Sequence, residues 1–305
     1  MRKQIHRISL VCLVFGIAWM CYAAQDNPAW TRKHDLPEGR IFEIAAAVNG
    51  RIYAVTSGED GKPPAEVWEY NPALDQWKVK GHANQPRTSF GAGEVKGKIY
   101  IWGGMDGNRL IGSTEMYDPE SDTWTVRAEL PRPRIFAKGA AVAGKLYAVG
   151  GIAPPYRNQV PLLDEYDPVS DRWTPKSDWP SKRDGFRVAA CDGKIYVMGH
   201  LGHDPATLQY DPATDRWAIR APMPSLRSDF GIHASKGLIY TFGGMESGAL
   251  EVYNAGADRW IKKRDMPQSN WAQVAAEVNG RIFVIGGGFP VPLKVLYEYD
   301  PAKDR

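Results

Sequence analysis

The chain has 305 residues, of which 43% are apolar, 24% charged and 11% aromatic, a balance typical of folded globular proteins. Its 38 Lys and Arg exceed its 35 Asp and Glu by three, and Arg2, Lys3 and Arg7 account for that excess. Without them, 38 minus 3 leaves 35 residues of each sign, so nothing in the composition supports the cationic face that nucleic-acid binding would require.

The first predicted element is an export signal. Basic residues at positions 2, 3 and 7 precede the apolar residues 8–20, and small residues surround Ala23. Such a stretch is shorter than the ~20 residues that span a membrane. We therefore expect a signal peptide over residues 1–23, cleaved after Ala23, and an exported periplasmic or extracellular domain over residues 24–305. A retained membrane anchor is the alternative. Because Cys191 is the only cysteine after residue 23, a disulfide framework within one chain is excluded.

The rest of the chain is an internal repeat of 43 to 49 residues, marked by six tryptophans. The tryptophans are Trp30, Trp77, Trp124, Trp173, Trp217 and Trp260. An aromatic residue lies 23 positions after each of them, at Tyr53, Tyr100, Tyr147, Tyr196, Tyr240 and Phe283. A tyrosine lies seven positions before the second to sixth, at Tyr70, Tyr117, Tyr166, Tyr210 and Tyr253, and Tyr299 begins another copy.

Each repeat predicts four short strands. In the third copy, apolar and β-branched runs between Gly, Pro and Asp clusters predict strands over residues 135–142, 145–149, 163–166 and 173–174. A turn joins the third and fourth strands of each repeat. In the second copy this turn begins with Asp118-Pro119, where Pro presets φ and Asp caps the turn. Repeated four-stranded units of this length predict an all-β propeller with six blades.

Three motifs together resemble the kelch repeat over residues 27–305: a Gly-Gly pair after the second strand, a tyrosine before the tryptophan, and Asp-x-Trp at the turn exit. The Gly-Gly pairs are Gly103-Gly104, Gly150-Gly151, Gly243-Gly244 and Gly286-Gly287. The pattern departs from the kelch repeat at Ser57-Gly58, Gly199-His200 and Asn254-Ala255.

Closure of the propeller follows from the register. The tryptophan after Tyr299 is due at position 306, and the missing fourth strand is present as residues 29–32. We expect this N-terminal strand to pair into the last blade, which hides two sheet edges that otherwise invite aggregation. A fragment cut short of a seventh copy is the alternative.

Length variation points to one face as the binding face. Only the connection between the second and third strands changes, since the aromatic residues that mark those strands lie 17, 17, 19, 14, 13 and 16 positions apart. The connection between the fourth strand and the next blade lies on the same side of an up-and-down blade, so both loops form the candidate face.

Five arginines recur ten residues before the inner-strand Gly, at Arg40, Arg87, Arg134, Arg183 and Arg227, with Asn270 in the sixth position. They could hold a carboxylate, phosphate or acidic peptide at the mouth of a central channel. The competing interpretation, which we favour, is that a residue repeated in every blade packs within the blade.

Positions that vary between blades are better candidates for specificity. Two residues after the arginine series stand Phe42, Ser89, Phe136, Gly185, Asp229 and Ala272. In kelch domains that bind peptides, this neighbourhood and the variable loops contact the ligand. The resemblance therefore implies contacts from Phe42, Ser89, Phe136, Asp229, Trp271 and the loop residues Asp60, Arg109, Tyr156, Arg157, His203, Glu246 and Phe289.

The sequence contains few residue patterns typical of catalytic or metal sites. His200 and His203 with Asp204 form the only histidine cluster, and its spacing is poor evidence for a metal site. No nucleophile elbow, phosphate-binding loop or dinucleotide motif occurs, so no metal or cofactor is predicted, and Cys191 reads as a packed thiol.

Two enzyme families share this repeat. Galactose-oxidase-like copper enzymes need seven blades and a Tyr-Cys crosslink, which this sequence does not favour. Exported sialic-acid mutarotases resemble it in blade number and export but carry long blade insertions. Such activity would need an acid/base pair beside an arginine, for which Glu246, Asp229 and Arg227 are the best trio.

The sequence thus favours an exported, monomeric binding protein with no catalytic residues. Its expected partner is an extracytoplasmic protein, peptide or glycan, and not a nucleic acid. The alternative is a periplasmic sugar-acid mutarotase or a related carbohydrate-active enzyme.

Overall fold

The computed structural model describes residues 28–58, 65–154, 159–180, 183–199, 205–245, 247–288 and 291–304. These residues form six four-stranded antiparallel sheets arranged as a ring, with one 3-10 turn at Pro301–Lys303. The predicted all-β, six-bladed propeller is confirmed. Within this part of the chain, no helix is long and apolar enough to cross a membrane.

Within each blade, the strands are given below in order from the channel outward. Blade 1 contains β2 (Phe42–Val48), β3 (Arg51–Thr56), β4 (Glu66–Asn71) and β5 (Gln76–His82). Blade 2 contains β6 (Gly91–Val95), β7 (Lys98–Trp102), β10 (Thr114–Asp118) and β11 (Thr123–Arg127), with a small ribbon of β8 (Met105–Asp106) and β9 (Arg109–Leu110) in its loop. Blade 3 contains β12 (Lys138–Val142), β13 (Lys145–Val149), β14 (Leu163–Asp167) and β15 (Arg172–Pro175).

The second half of the ring repeats this order. Blade 4 contains β16 (Arg187–Cys191), β17 (Lys194–Met198), β18 (Thr207–Asp211) and β19 (Arg216–Arg220). Blade 5 contains β20 (Gly231–Ser235), β21 (Leu238–Phe242), β22 (Leu250–Asn254) and β23 (Arg259–Lys262). Blade 6 contains β24 (Val274–Val278), β25 (Arg281–Ile285), β26 (Leu296–Tyr299) and, as its outermost strand, β1 (Trp30–Arg32).

The third blade tests the predicted strand limits. Three of its strands agree within one or two residues, but β12 begins three residues later than predicted. Ile135 instead forms an isolated bridge to Ile152, and Phe136 adopts a positive φ of 57° that interrupts the extended backbone. The apolar run was therefore a poor guide to where the strand starts.

Tight turns join the first two strands of every blade. Each consists of two residues with positive φ, the combination that a type I′ hairpin requires. The second residue is always glycine, which adopts this conformation without steric cost. The six pairs are Asn49-Gly50, Lys96-Gly97, Ala143-Gly144, Asp192-Gly193, Lys236-Gly237 and Asn279-Gly280.

Neighbouring blades are held together by the repeated Tyr and Asp. In blade 5 the Tyr253 hydroxyl donates to Asp258 Oδ1 at 2.6 Å, and the backbone N–H of Ala221 in the preceding linker donates to the same oxygen at 2.8 Å. The same arrangement recurs in all six blades. One side chain thus satisfies a buried hydroxyl and ties its blade to the previous one. The predicted turn cap also forms, between Asp118 Oδ1 and Glu120 N at 2.9 Å.

The N-terminal strand closes the ring as predicted. Trp30 pairs with Tyr299 in register, and its indole N–H donates to Arg264 O in blade 5 at 3.4 Å. The Trp30 ring lies 5.9 Å from Phe242 and 4.8 Å from Tyr299, between blades 5 and 6. Its side chain therefore joins the core that the two blades share.

Candidate functional site at the channel mouth

Two sets of loops lie on one face of the propeller, which we call the loop face. They are the connections between the second and third strands of each blade and the connections that lead into the next inner strand. Backbone hydrogen bonds join the two sets across blades, from Gly58 N to Arg87 O at 3.1 Å and from Gly104 N to Arg134 O at 3.1 Å. The opposite side, the turn face, carries the short turns. The variable loops therefore surround the entrance to the channel.

The arginine series lies beneath this face. Arg40, Arg87, Arg134, Arg183 and Arg227 are all 5% exposed or less. Arg134 donates to Gly150 O at 2.6 Å, to Ala148 O at 2.8 Å and to Asp164 Oδ2 at 2.7 Å. Burial lowers its pKa, and the Asp164 carboxylate opposes that effect. Such an arginine stabilises its own blade.

One contact explains why the arginine and the Gly-Gly pair occur together. In blades 2, 3 and 5 the guanidinium donates to the carbonyl oxygen of the first glycine, 16 residues on. In blade 6 the Asn270 amide takes the same role and donates to Gly286 O at 2.5 Å. An acid on the third strand pairs with the arginine in four blades, at Glu66, Glu115, Asp164 and Glu251. These contacts support the packing interpretation of the series.

The varying positions form a ring at the channel mouth, which we call the mouth ring: Ser89, Phe136, Gly185, Asp229 and Ala272, all with φ between 53° and 65°. Backbone hydrogen bonds connect successive members, from Phe136 N to Ser89 O at 2.7 Å, from Asp229 N to Gly185 O at 3.0 Å and from Ala272 N to Asp229 O at 2.6 Å. The backbone of the ring is thus fixed while its side chains differ.

Apolar side chains are exposed around this ring. Phe136 is 41% exposed and lines the channel mouth. Leu226, Met245 and Val291 on neighbouring loops are 54%, 43% and 70% exposed. Large apolar side chains such as Leu74 and Ile219 are also exposed on the outer turns and strands, so what distinguishes the mouth is the position of Phe136 in the channel entrance.

Below the ring, a central channel of about 570 Å³ runs between the six inner strands. Small residues let these strands converge. A Cβ at Gly139 of β12 would lie 1.7 Å from Ala92 O of β6, so the two blades approach too closely for any side chain there. A volume of this size is typical of small-molecule sites.

Glu43 and Lys138 form an ion pair that crosses the channel. Lys138 Nζ lies 3.6 Å from Glu43 Oε2, although the two residues belong to blades 3 and 1. Blade 2 lies between them and carries Gly91 at the position that corresponds to Lys138. A β-bulge between Phe42 and Ile44 inserts Glu43 into the inner strand. Bulges of this kind often re-aim a side chain beside an active site.

A second pair lies beside the first. Arg187 Nη1 is 3.1 Å from Asp229 Oδ1, and its Nε donates to Phe230 O at 3.0 Å. Burial lowers the pKa of Lys138, and although Glu43 opposes this effect, the nearby Arg187 charge adds to it. The upper channel therefore holds two cations and two carboxylates.

Two further carboxyl groups and one histidine line the channel nearer the turn face. His233 Nε2 lies 3.4 Å from Glu277 Oε2, and this contact lowers the pKa of Glu277. Burial raises the pKa of Glu94, whose carboxylate accepts a hydrogen bond from Gly97 N at 2.7 Å. Within the described residues, no three His, Cys, Asp or Glu side chains are grouped as metal ligands.

The remaining sequence candidates lie in different places. Phe42 is buried against Trp68, with ring centroids 6.0 Å apart. Arg109 is exposed on the loop face and pairs with Asp106 at 3.0 Å, and Trp271 is half-buried beside the mouth. Asp60, Tyr156, Arg157, His200, His203, Asp204, Glu246 and Phe289, together with residues 1–23, lie outside the described residues.

The proposed catalytic trio and the single thiol also have defined positions. Arg227 is buried and pairs with Glu251 at 2.9 Å, so Asp229 faces Arg187 instead. Cys191 is buried, which raises the pKa of its thiol to about 11. Because Arg227 and Cys191 are buried, the titratable side chains that line the channel are the more accessible reactive groups.

Sequence reasoning missed the channel residues Glu43, Glu94, Lys138, Arg187, His233 and Glu277. A signal was present, since each inner strand consists mostly of small or apolar residues and carries a single acidic or basic residue. Which of these charges meet could not be read from the sequence, because the bulge at Glu43 changes the register of one blade.

The comparisons with known proteins agree on the architecture. Residues 43–244 match a family model described as the KLHDC2/KLHL20/DRC7 Kelch-repeats domain. A solved structure titled "Structure of YjhT" is similar with a TM-score of 0.72 at 15% identity, covering 86% of this chain and 95% of the other. At that identity the likeness shows the fold alone. No curated protein sequence matches the chain.

Proposed function

Since the chain belongs to the kelch-repeat family, we propose that it is an exported binding protein whose loop face takes up a segment of a partner protein or peptide at the channel mouth. Kelch propellers typically take part in protein interactions. The observation that carries the proposal is the mouth ring, where a backbone held by hydrogen bonds between blades presents a different side chain from each blade.

The chemistry of the mouth supports a ligand with both apolar and charged groups. Phe136 offers an exposed ring on a rigid backbone, an arrangement typical of an interface hot spot. Asp229 and Arg187 lie within the same entrance and can each pair with a charge of opposite sign. The arginine series is not part of this proposal, because its guanidinium groups are buried in the blades.

The test is a peptide and glycan array probed with the protein, followed by titration of the best ligand against Phe136→Ala. Loss of a central aromatic contact typically costs about 2 kcal/mol or more, roughly a 30-fold rise in Kd. Val169→Ala is the matched control, since Val169 is 81% exposed in a turn on the opposite face. Equal affinity of Phe136→Ala and the parent protein would contradict the proposed binding face.

A second candidate, a sugar-acid isomerase, is favoured by one observation. Two cation–carboxylate pairs, Lys138 with Glu43 and Arg187 with Asp229, line the open central channel. A carboxylate-binding arginine beside an acid/base pair is what such a reaction requires. Faster relaxation between the anomers of a sugar acid, followed by NMR in the presence of the protein, would support this candidate over binding alone.

A further inference from the structure

Among the described residues, Lys138 is the lysine that lines the central channel. Lys98, Lys145 and Lys194 each lie at the start of a second strand and form pairs of 2.5 to 2.6 Å with acids on the turn side of the blade. Lys138 instead enters the central channel, and its 3.6 Å separation from Glu43 is longer than a hydrogen bond. Its amino group is therefore close to a carboxylate without being fixed by it.

Two features of the structure surround the Lys138 amine: the Glu43 carboxylate and partial burial. The bulge beside Glu43 places its carboxylate in the channel, where it meets the Lys138 amine from blade 3. Only 22% of the Lys138 side chain is exposed. Burial lowers its pKa, so a larger fraction of this amine is neutral at a given pH than of an exposed lysine. A neutral amine in a partly desolvated pocket is a nucleophile.

Arg187 supplies the neighbouring recognition group. It begins the adjacent inner strand at the same position in the repeat as Lys138. Its Nε and Nη1 are held by Phe230 O, Phe186 O and Asp229. Among the described residues, no hydrogen bond uses Nη2, so its N–H groups can donate to a carboxylate.

We propose that Lys138 is a covalent site for a small carbonyl compound that carries a carboxylate, such as a 2-oxo acid, with Arg187 holding the carboxylate. Glu43 takes a proton from the ammonium group, and Lys138 Nζ then attacks the carbonyl carbon. One proton of the attacking nitrogen moves to the former carbonyl oxygen, which gives a carbinolamine. Glu43 returns the proton to the carbinolamine oxygen, which leaves as water. The C–N bond becomes a protonated imine whose positive charge faces the Glu43 carboxylate. The site shares Arg187 with the proposed binding entrance, but labelling of Lys138 tests it separately from the affinity for a peptide.

The experiment is reductive trapping. The protein is incubated with pyruvate and cyanoborohydride, which converts an imine into a stable carboxyethyl-lysine, and peptide mapping gives the labelling rate at each lysine. Lys262 is the internal control, since its side chain is 70% exposed. We expect Lys138 to be labelled at least about tenfold faster than Lys262, the effect of one well-placed charged contact. Labelling of Lys138 no faster than Lys262 would overturn the covalent site.

Two further arms test the roles of the neighbours. Pyruvamide, the neutral analogue of pyruvate, should label Lys138 about tenfold more slowly because it cannot use the Arg187 contact. Equal labelling by both probes would overturn the assignment of a carboxylate-bearing substrate. Glu43→Gln should slow labelling at Lys138 and leave labelling at Lys262 unchanged, whereas an unchanged rate at Lys138 would remove Glu43 from the mechanism. Lys138→Arg keeps the charge and should abolish the carboxyethyl group at this position.

Discussion

Replacing Asp164 by asparagine separates a structural arginine from a ligand-binding one. The Asp164 carboxylate is fully buried and accepts hydrogen bonds from Arg134 at 2.7 Å and from Arg132 at 2.8 Å. Asparagine preserves the shape but leaves the buried Arg134 charge uncompensated. Breaking a buried pair in this way typically costs about 3–5 kcal/mol.

That loss corresponds to a clear change in melting temperature. An unfolding entropy of about 2.1 cal/mol/K per residue over roughly 280 residues gives about 0.6 kcal/mol/K, so Tm should fall by roughly 5–8 °C. Calorimetry and denaturant titration at neutral pH measure both quantities. Asp106→Asn is the control, since its partner Arg109 is 68% exposed and such pairs contribute about 1 kcal/mol or less.

The alternative interpretation of the arginine series makes the opposite prediction. If Arg134 served a ligand rather than its blade, Asp164→Asn would free the guanidinium and alter ligand affinity with little change in stability. A Tm within about 1–2 °C of the parent, the range expected for an exposed pair, would therefore refute the reasoning.

Two other predictions concern contacts that join neighbouring blades of the propeller. Trp30→Ala removes an aromatic side chain from the core between blades 5 and 6, and should cost about 3–5 kcal/mol, measured by chemical denaturation; a loss below about 1 kcal/mol would contradict closure by β1 as a source of stability. Asp258→Asn should destabilise by about 1 kcal/mol at pH 7. The Tyr253 hydrogen bond, followed by the contact to the preceding linker, lowers the pKa of Asp258, so its contribution is present at neutral pH. It is lost as the pH falls below the usual carboxyl range of about 4. The difference between parent and variant should shrink in acid, and a constant difference from pH 7 to 3 would contradict this assignment.

The fold could be predicted from the sequence because its spacings reflect rigid geometry. The interval of 23 residues contains the link between blades and the first hairpin, and the interval of seven contains the outer turn. A turn such as Asn279-Gly280 tolerates no insertion without changing the register of the hairpin. The period therefore gave the blade number and located the closing strand at Trp30.

The candidate site was harder to predict, for two physical reasons. A repeated arginine gives the same sequence pattern whether it faces a ligand or packs in a blade, and burial decides between them. One clue was available, since an acid on the third strand accompanies Arg87 and Arg134 in their blades and is replaced by Tyr297 where Asn270 stands. The Glu43 and Lys138 pair depends on a bulge and on the position of a non-adjacent blade, which spacing alone does not encode.

The mouth ring suggests how stability and recognition are divided in this propeller. A non-glycine residue with positive φ costs roughly 1–2 kcal/mol, and Phe136 and Ala272 have no short polar side chain to offset that cost. Glycine, present at position 185, would be less costly at either place. The buried arginines, the Tyr–Asp contacts and the closing strand stabilise the propeller and so offset the conformational cost of the mouth ring. In the binding mode proposed above, the 41% exposed ring of Phe136 contacts the ligand at the channel mouth, and that contact is the functional reason for a strained phenylalanine at this position.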